Sequence, residues 1–306
     1  MLLVLLVAIG PGCSFKRIAV NKLGDALAGS GTSFASEDDP ELVRAAAPFS
    51  LKLMESLLAE SPKHAGLLTA TSSGFTQFTY AFVQQDAEEL EEKDFEAAEA
   101  MKNRARRLYL RARNYGLRGL ELRLPRFEQA LRSDARQAVA RTSAKDVPLL
   151  YWTGASWGAA ISLSKDRPEF IGELPLVEAL MDRALALDES YGDGAIHSFF
   201  ISYEMSRQGG QGDPAARSRA HFDRAVALSQ GQQAGPMVAL AEAVCIQKQD
   251  ATQFESLLKR ALAINVDARP EWRLSNLVMQ RRARWLLSRE DELFLQRKPP
   301  ADKTSE

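Results

Sequence analysis

Three octets constrain this chain more than any other feature: MDRALALD at 181–188, FDRAVALS at 222–229 and LKRALAIN at 258–265. They superimpose without gaps and start 41 and 36 residues apart. MESLLAES at 54–61 is a weaker fourth copy, and YLRARNYG at 109–116 a more distant fifth. A recurring period of this length means that one supersecondary unit is repeated, and the nearest known period is the roughly 34 residues of a tetratricopeptide hairpin. A single hairpin cannot bury its apolar face, so neighbouring hairpins must stack into a continuous core. The alanines inside each octet suit the close helix crossings that such stacking needs.

The flanking sequence agrees. Apolar residues recur at three- and four-residue spacing, as in Leu180, Ala184 and Leu187, while sustained alternation is absent. Asp39-Pro40 and Asp213-Pro214 read as helix starts, with Asp as N-cap and Pro in the first helical position; Pro175 opens another helix. The pattern predicts an all-α protein of about nine to twelve helices and no sheet, an α-solenoid of tetratricopeptide-like helical hairpins.

Residues Leu2 to Ile9 carry no polar side chain, and Gly10-Pro11-Gly12 breaks the run before Cys13. That run is too short to span a bilayer but suits a signal-peptide core. Residues 1–12 therefore read as a signal peptide and Cys13 as a lipidation site; the alternative is an uncleaved apolar N-terminus. Gly10 stands where lipoprotein leaders usually carry Leu, and no Lys or Arg precedes the run. Residues 13–38 read as a lipidated start followed by a Gly-, Ser- and Ala-rich flexible tether. Residues 39–294 form the repeat body and 295–306 a disordered tail. The other cysteine, Cys245, stands among apolar helical neighbours and reads as an ordinary buried residue.

Lys and Arg total 39 against 40 Asp and Glu, which gives no electrostatic reason to expect nucleic acid. The balance fails locally. Residues 86–99 hold eight acidic side chains and one Lys, whereas residues 102–136 hold eleven basic and three acidic ones. These runs read as two solvated helix faces answering each other across a hairpin, or alternatively as a docking surface for a protein partner. Ala65 to Gln85 has no charge at all, yet nine of its residues are Ser, Thr or Gln, which argues against a lipid-facing helix. Phe75, Phe78 and Phe82 fall on one stripe of it. That helix is either core, buried on several sides, or the lining of an apolar cavity.

Gly154-Ala155-Ser156-Trp157-Gly158 matches G-x-S-x-G by its letters. A nucleophile elbow needs a strand before the serine and a sheet to hold the turn. Here Pro148 to Ser164 reads as one helix, with Thr153, Trp157 and Ile161 as a stripe and Gly154, Ala155 and Gly158 as a close-packing surface. His197 and His221 lie downstream, but nothing in a helical array orients them toward Ser156. His64, His197 and His221 form no metal-ligand spacing, and GGQGDP at 209–214 lacks the Lys-Ser/Thr of a phosphate loop. No enzyme, metal site or cofactor emerges.

YWTGASWGAAISL, LPLVEALMDRALALDESYGDGAIHSFF, GGQGDPAARSRAHFDRAVALSQGQQAGPMVALAEAV and DATQFESLLKRALAI, in this order, make the chain similar to the TatT family. These are the tetratricopeptide-type T components of tripartite ATP-independent periplasmic (TRAP) transporters, and the similarity runs over roughly residues 40 to 290. The resemblance implies a periplasm-facing lipoprotein of helical repeats, oligomeric and trimeric. It also implies a substrate-binding P component as partner and an apolar tunnel for a hydrophobic small molecule or lipid. Ser14 after the lipidated Cys13 implies sorting to the outer membrane. The resemblance carries over no catalytic residue. Among the aromatic residues, Phe75, Phe78, Phe82, Tyr151, Trp152, Trp157 and Phe199 are the candidates to line a tunnel. Each also suits the core, which is the commoner place for such a residue. A pure scaffold for cell-envelope proteins, without a small ligand, is the alternative function.

Overall fold

Asp39, Asp94, Asp134, Asp213 and Asp250 each accept a backbone N–H from the helix they precede, and so set five of the helix starts. His64 does the same through Nδ1, which accepts from Leu67 N. The computed structural model describes residues 12–29, 31–164 and 167–295, and no strand occurs among the described residues.

Helix α1 (Gly12–Gly29) and the short α2 (Gly31–Ala35) precede α3 (Pro40–Glu60). Helix α4 (Ala65–Thr79) runs through a π-helical turn, Tyr80–Gln84, into α5 (Gln85–Leu90), and α6 (Phe95–Glu121) returns along it. The short α7 (Phe127–Ser133) and α8 (Ala135–Ala140) lead to α9 (Val147–Ser162). After one turn, α10 (Pro168–Ile171), helix α11 (Leu174–Leu187) packs back on α9. Helices α12 (Ala195–Tyr203) and α13 (Pro214–Leu228) form the next pair. Helix α14 (Gly235–Leu240) passes through a second π-helical turn, Ala241–Cys245, into α15 (Ile246–Lys248), and α16 (Ala251–Leu262) returns. Helices α17 (Arg273–Ser288) and α18 (Glu290–Leu293) complete the described chain.

Four of the five octets fall on the second helix of a pair, α6, α11, α13 and α16, and the first falls on α3 before α4. Their first and fourth positions are buried in every copy, as Met54 and Leu57, Tyr109 and Ala112, Met181 and Ala184, Phe222 and Ala225, and Leu258 and Ala261. The repeat in the sequence is thus a repeat of burial: in the four copies after the first, a large side chain fills the core one turn before an alanine admits the next helix, whereas the first copy has Leu57 there. Two large clusters result. One joins α6 through α12 around Trp157 and Phe200, and the other joins α12 through α17 around Val238 and Phe254.

The two ends of the array meet. Val278 of α17 packs with Val43, Ala81 and Phe82, and Arg273 Nη1 donates to Ser36 O at 2.7 Å. The acidic run contributes to the same seam. Asp86 binds Arg44 and Arg281, Glu89 binds Arg281, Glu88 binds Arg282, and Glu92 binds Arg289. The two charge runs therefore do not answer each other across the α5–α6 hairpin. Lys102 alone bridges them, to Glu91 at 2.5 Å and Glu99 at 3.0 Å.

The expected tether also differs. Residues 12–29 are helical and lie against α3 and α4. Asn21 accepts from Ser61 Oγ, and its carbonyl lies 3.2 Å from His64 Nε2. Gly24 sits so close to α4 that an added Cβ would lie 2.8 Å from His64 Nε2 and from Leu67 Cδ1. Here a glycine read as a flexible spacer is a contact point. The proposed signal peptide, except Gly12, and the tail from residue 296 lie outside the described residues, as does the side chain of Cys13.

Candidate functional site

Helix α4 explains how a hydroxyl-rich, uncharged segment comes to line an apolar space. Thr69, Thr71, Thr76 and Thr79 each donate their hydroxyl to the carbonyl four residues back, at 2.6–3.1 Å. Ser73 donates to Ala70 O at 3.1 Å. With these hydrogens satisfied inside the helix, a threonine presents a methyl group to its surroundings, and the helix behaves as an apolar one.

That helix forms one wall of a cavity of about 910 Å³, partly open to solvent and lined by residues of α1 to α4, α9 and α17. Leu27, Phe34, Val43, Leu51 and Met54 come from α1 to α3, Phe78 and Phe82 from α4 and its π turn, and Tyr151 and Trp152 from α9. Leu274, Val278 and Met279 of α17, with Trp272 just before it, form the opposite wall. Arg123, Lys145, Asp193 and Glu271 are the charged lining residues, two of each sign. Arg123 is itself paired with the buried Asp146 at 3.0 Å, and Glu271 with Arg269 at 2.6 Å. The lining therefore offers mainly apolar surface with scattered polar groups, in a volume near the upper end for small-molecule sites.

Of the seven aromatic candidates, Phe78, Phe82, Tyr151 and Trp152 line this cavity, and Phe75, Trp157 and Phe199 do not. Tyr151 stands edge-on to Trp152 with centroids 4.9 Å apart and 5.4 Å from the Tyr191 ring; burial pushes its phenol pKa up, so it faces the cavity as a neutral group. Phe75 turns to α6 instead, stacked on Tyr115 at 6.2 Å with Arg111 over its other side. Trp157 is fully buried between the guanidinium groups of Arg113 and Arg132, and its Nε1 donates to Glu173 at 2.7 Å. Phe199 stacks on Tyr203 and packs over Gly158.

The stripe of Phe75, Phe78 and Phe82 splits within α4, before the π turn that begins at Tyr80: Phe78 stays with Phe82, ring centroids 5.8 Å apart, on the cavity side, whereas Phe75 turns to α6. Sequence reasoning also missed the contributions of α1, α2 and α17. The apolar spacing Leu274, Val278 was the available signal for the last of these.

Ser156 lies inside α9, fully buried, and its Oγ donates to Trp152 O at 2.7 Å and Thr153 O at 3.1 Å. Nothing projects it from a turn. Gly154 faces Met181, and Gly158 faces Phe199 and Val177, so the motif's glycines serve helix contacts. His197 and His221 pair with each other between α12 and α13, not with Ser156. Among the described residues, no group of three His, Cys, Asp or Glu is placed to hold a metal, and no helix is long and apolar enough to cross a membrane.

Fold and cavity together define an all-α helical-repeat protein with a large, mainly apolar cavity on the inner side of its array. Comparison with known proteins gives the family. The profile described as TRAP transporter T-component matches residues 36–294. An uncharacterized protein of Treponema pallidum (strain Nichols) is 30% identical over 302 residues, covering 93% of this chain and 94% of that protein. The chain belongs to the TRAP transporter T-component family, and its role is that of an accessory component of such a transporter.

Proposed function

We propose that this chain binds a hydrophobic or amphipathic solute in the chamber between α3, α4, α9 and α17 and passes it to a P-type solute-binding protein. The observation that carries the reading is the 910 Å³ cavity itself, partly open to solvent and walled mainly by apolar and aromatic side chains. The same observation weighs against a pure scaffold, for which a solid core would suffice. In this reading the chain faces the periplasm, is held to the outer membrane by lipid on Cys13, and works as a homotrimer. No catalysis is involved.

The test is a titration of the purified soluble body with a fatty acid brominated on its chain, following tryptophan fluorescence. Trp152 and Trp272 line the chamber, so binding there quenches emission, and Trp152→Phe removes a large part of the signal. A body that shows no saturable quenching with any long-chain or aromatic apolar probe would contradict the reading.

A further inference from the structure

The basic run of the sequence keeps most of its charge. From Arg104 to Arg118, α6 contains no acidic residue. Its solvent-facing side over that stretch is Arg104, Arg107, Arg111, Asn114 and Arg118, at spacings of three and four. At 1.5 Å per residue, this ridge is about 21 Å long. Arg104 and Arg107 have no acidic partner among the described residues. Arg111 approaches the side chain of Glu55 only at 3.6 Å, and that carboxylate already accepts from Lys52 and from Tyr115 Oη. Arg118 lies over the Tyr115 ring at 5.1 Å and donates weakly to Pro62 O at 3.4 Å. Two of the four guanidinium groups thus lie over aromatic faces, Arg111 over Phe75 and Arg118 over Tyr115, and all four residues are exposed.

Like charges at this spacing repel along a helix. The acidic run that could have relieved them is committed elsewhere, to Arg44, Arg281, Arg282 and Arg289 at the seam. The protein thus carries a cationic ridge whose one acidic contact among the described residues is Arg111 to Glu55, while its overall charge is close to zero.

We propose that this ridge on α6 is a docking surface for the acidic face of a protein partner. Arginine forks engage carboxylates in pairs of parallel hydrogen bonds, and the ridge presents four of them in a fixed line. A bilayer surface fits less well, because membrane-docking helices combine basic residues with apolar side chains that insert. Between Arg104 and Arg118 the fully exposed positions of α6 are Arg and Asn; Leu110 and Tyr115, beside them in a surface groove, are only partly exposed, and Phe95 projects about half a turn away around the helix. The inference rests on the proposed role only in naming the partner as a solute-binding protein of a TRAP system; the acidic complement is set by the ridge alone.

The experiment compares the wild-type body with the variant Arg104→Gln/Arg107→Gln/Arg111→Gln/Arg118→Gln in three titrations. The probes are a TRAP solute-binding protein, a fluorescein-labelled polyglutamate peptide, and phosphatidylglycerol vesicles. Circular dichroism confirms that both proteins fold, and Arg136→Gln, an exposed arginine elsewhere, is the control. The expected result is about tenfold or more weaker binding of both protein probes by the variant, wild-type binding that falls as salt rises, and an unchanged control. Equal binding of the solute-binding protein by wild type and variant overturns the surface while leaving the accessory role intact. A loss confined to vesicle binding overturns it in favour of a membrane. If wild type fails with the solute-binding protein but binds polyglutamate through these arginines, the partner assignment fails and the acidic-face inference stands.

Discussion

His197 Nδ1 on α12 and His221 Nδ1 on α13 lie 2.8 Å apart, so one ring must donate to the other. Glu189 stands 3.4 Å from His197 Nε2, an electrostatic contact and not a hydrogen bond, and which ring donates depends on the tautomer. Burial depresses the pKa of both rings, and for His221 the neighbouring His197 adds to it. The folded protein therefore takes up protons less readily than the unfolded chain. Stability is full above the ordinary histidine value of about 6.5 and is lost as the pH falls through and below it. Thermal unfolding followed from pH 7.5 to 5 should show a steeper fall for wild type than for His197→Leu/His221→Leu. Parallel curves would mean that the pair does not titrate with unfolding.

Arg282 of α17 joins Glu88 of α5 and Glu242 of the second π turn, each at 2.6 Å. Its side chain is only 10% exposed. Replacing it with Leu leaves two acidic groups facing each other in a largely buried site, which costs about 3–5 kcal/mol. Chemical denaturation of Arg282→Leu should show that loss. Arg282→Lys, which keeps the charge but not the fork, should lose less.

Gly116 of α6 faces Thr153 of α9 so closely that a Cβ would overlap the threonine hydroxyl. Alanine at an exposed helix position would stabilise by up to about 1 kcal/mol. Here Gly116→Ala is expected to destabilise by about 1–3 kcal/mol through overpacking, with partial rescue by Thr153→Ala. A stabilised single variant would show that α6 and α9 have slack between them.

The octets made the fold legible because burial recurs at fixed positions; Tyr109 and Ala112 fit the pattern even in the most distant copy. The chamber was only partly legible. Phe78, Phe82, Tyr151 and Trp152 could be nominated as aromatics on apolar helices, but so could Phe75, which faces α6, and Trp157, which is core. Periodicity reports that a side chain avoids water, and it does not distinguish a filled interior from an empty one. The π turns, which re-aim side chains beyond Tyr80 and Ala241, leave no compositional mark. Composition misled at residues 14–38, where Gly24 and Leu27 read as tether yet sit against α4 and the chamber.

The chamber's occupancy is the most direct test of the proposed function. The soluble body, purified without detergent, is measured by native mass spectrometry beside Ala70→Trp, which places an indole in the chamber wall. Wild type should carry a non-covalent, lipid-sized mass that organic extraction removes and that the tryptophan variant lacks. A wild-type protein that is mass-empty as purified, and that takes up no long-chain amphiphile when supplied, would contradict a solute-binding role for the chamber.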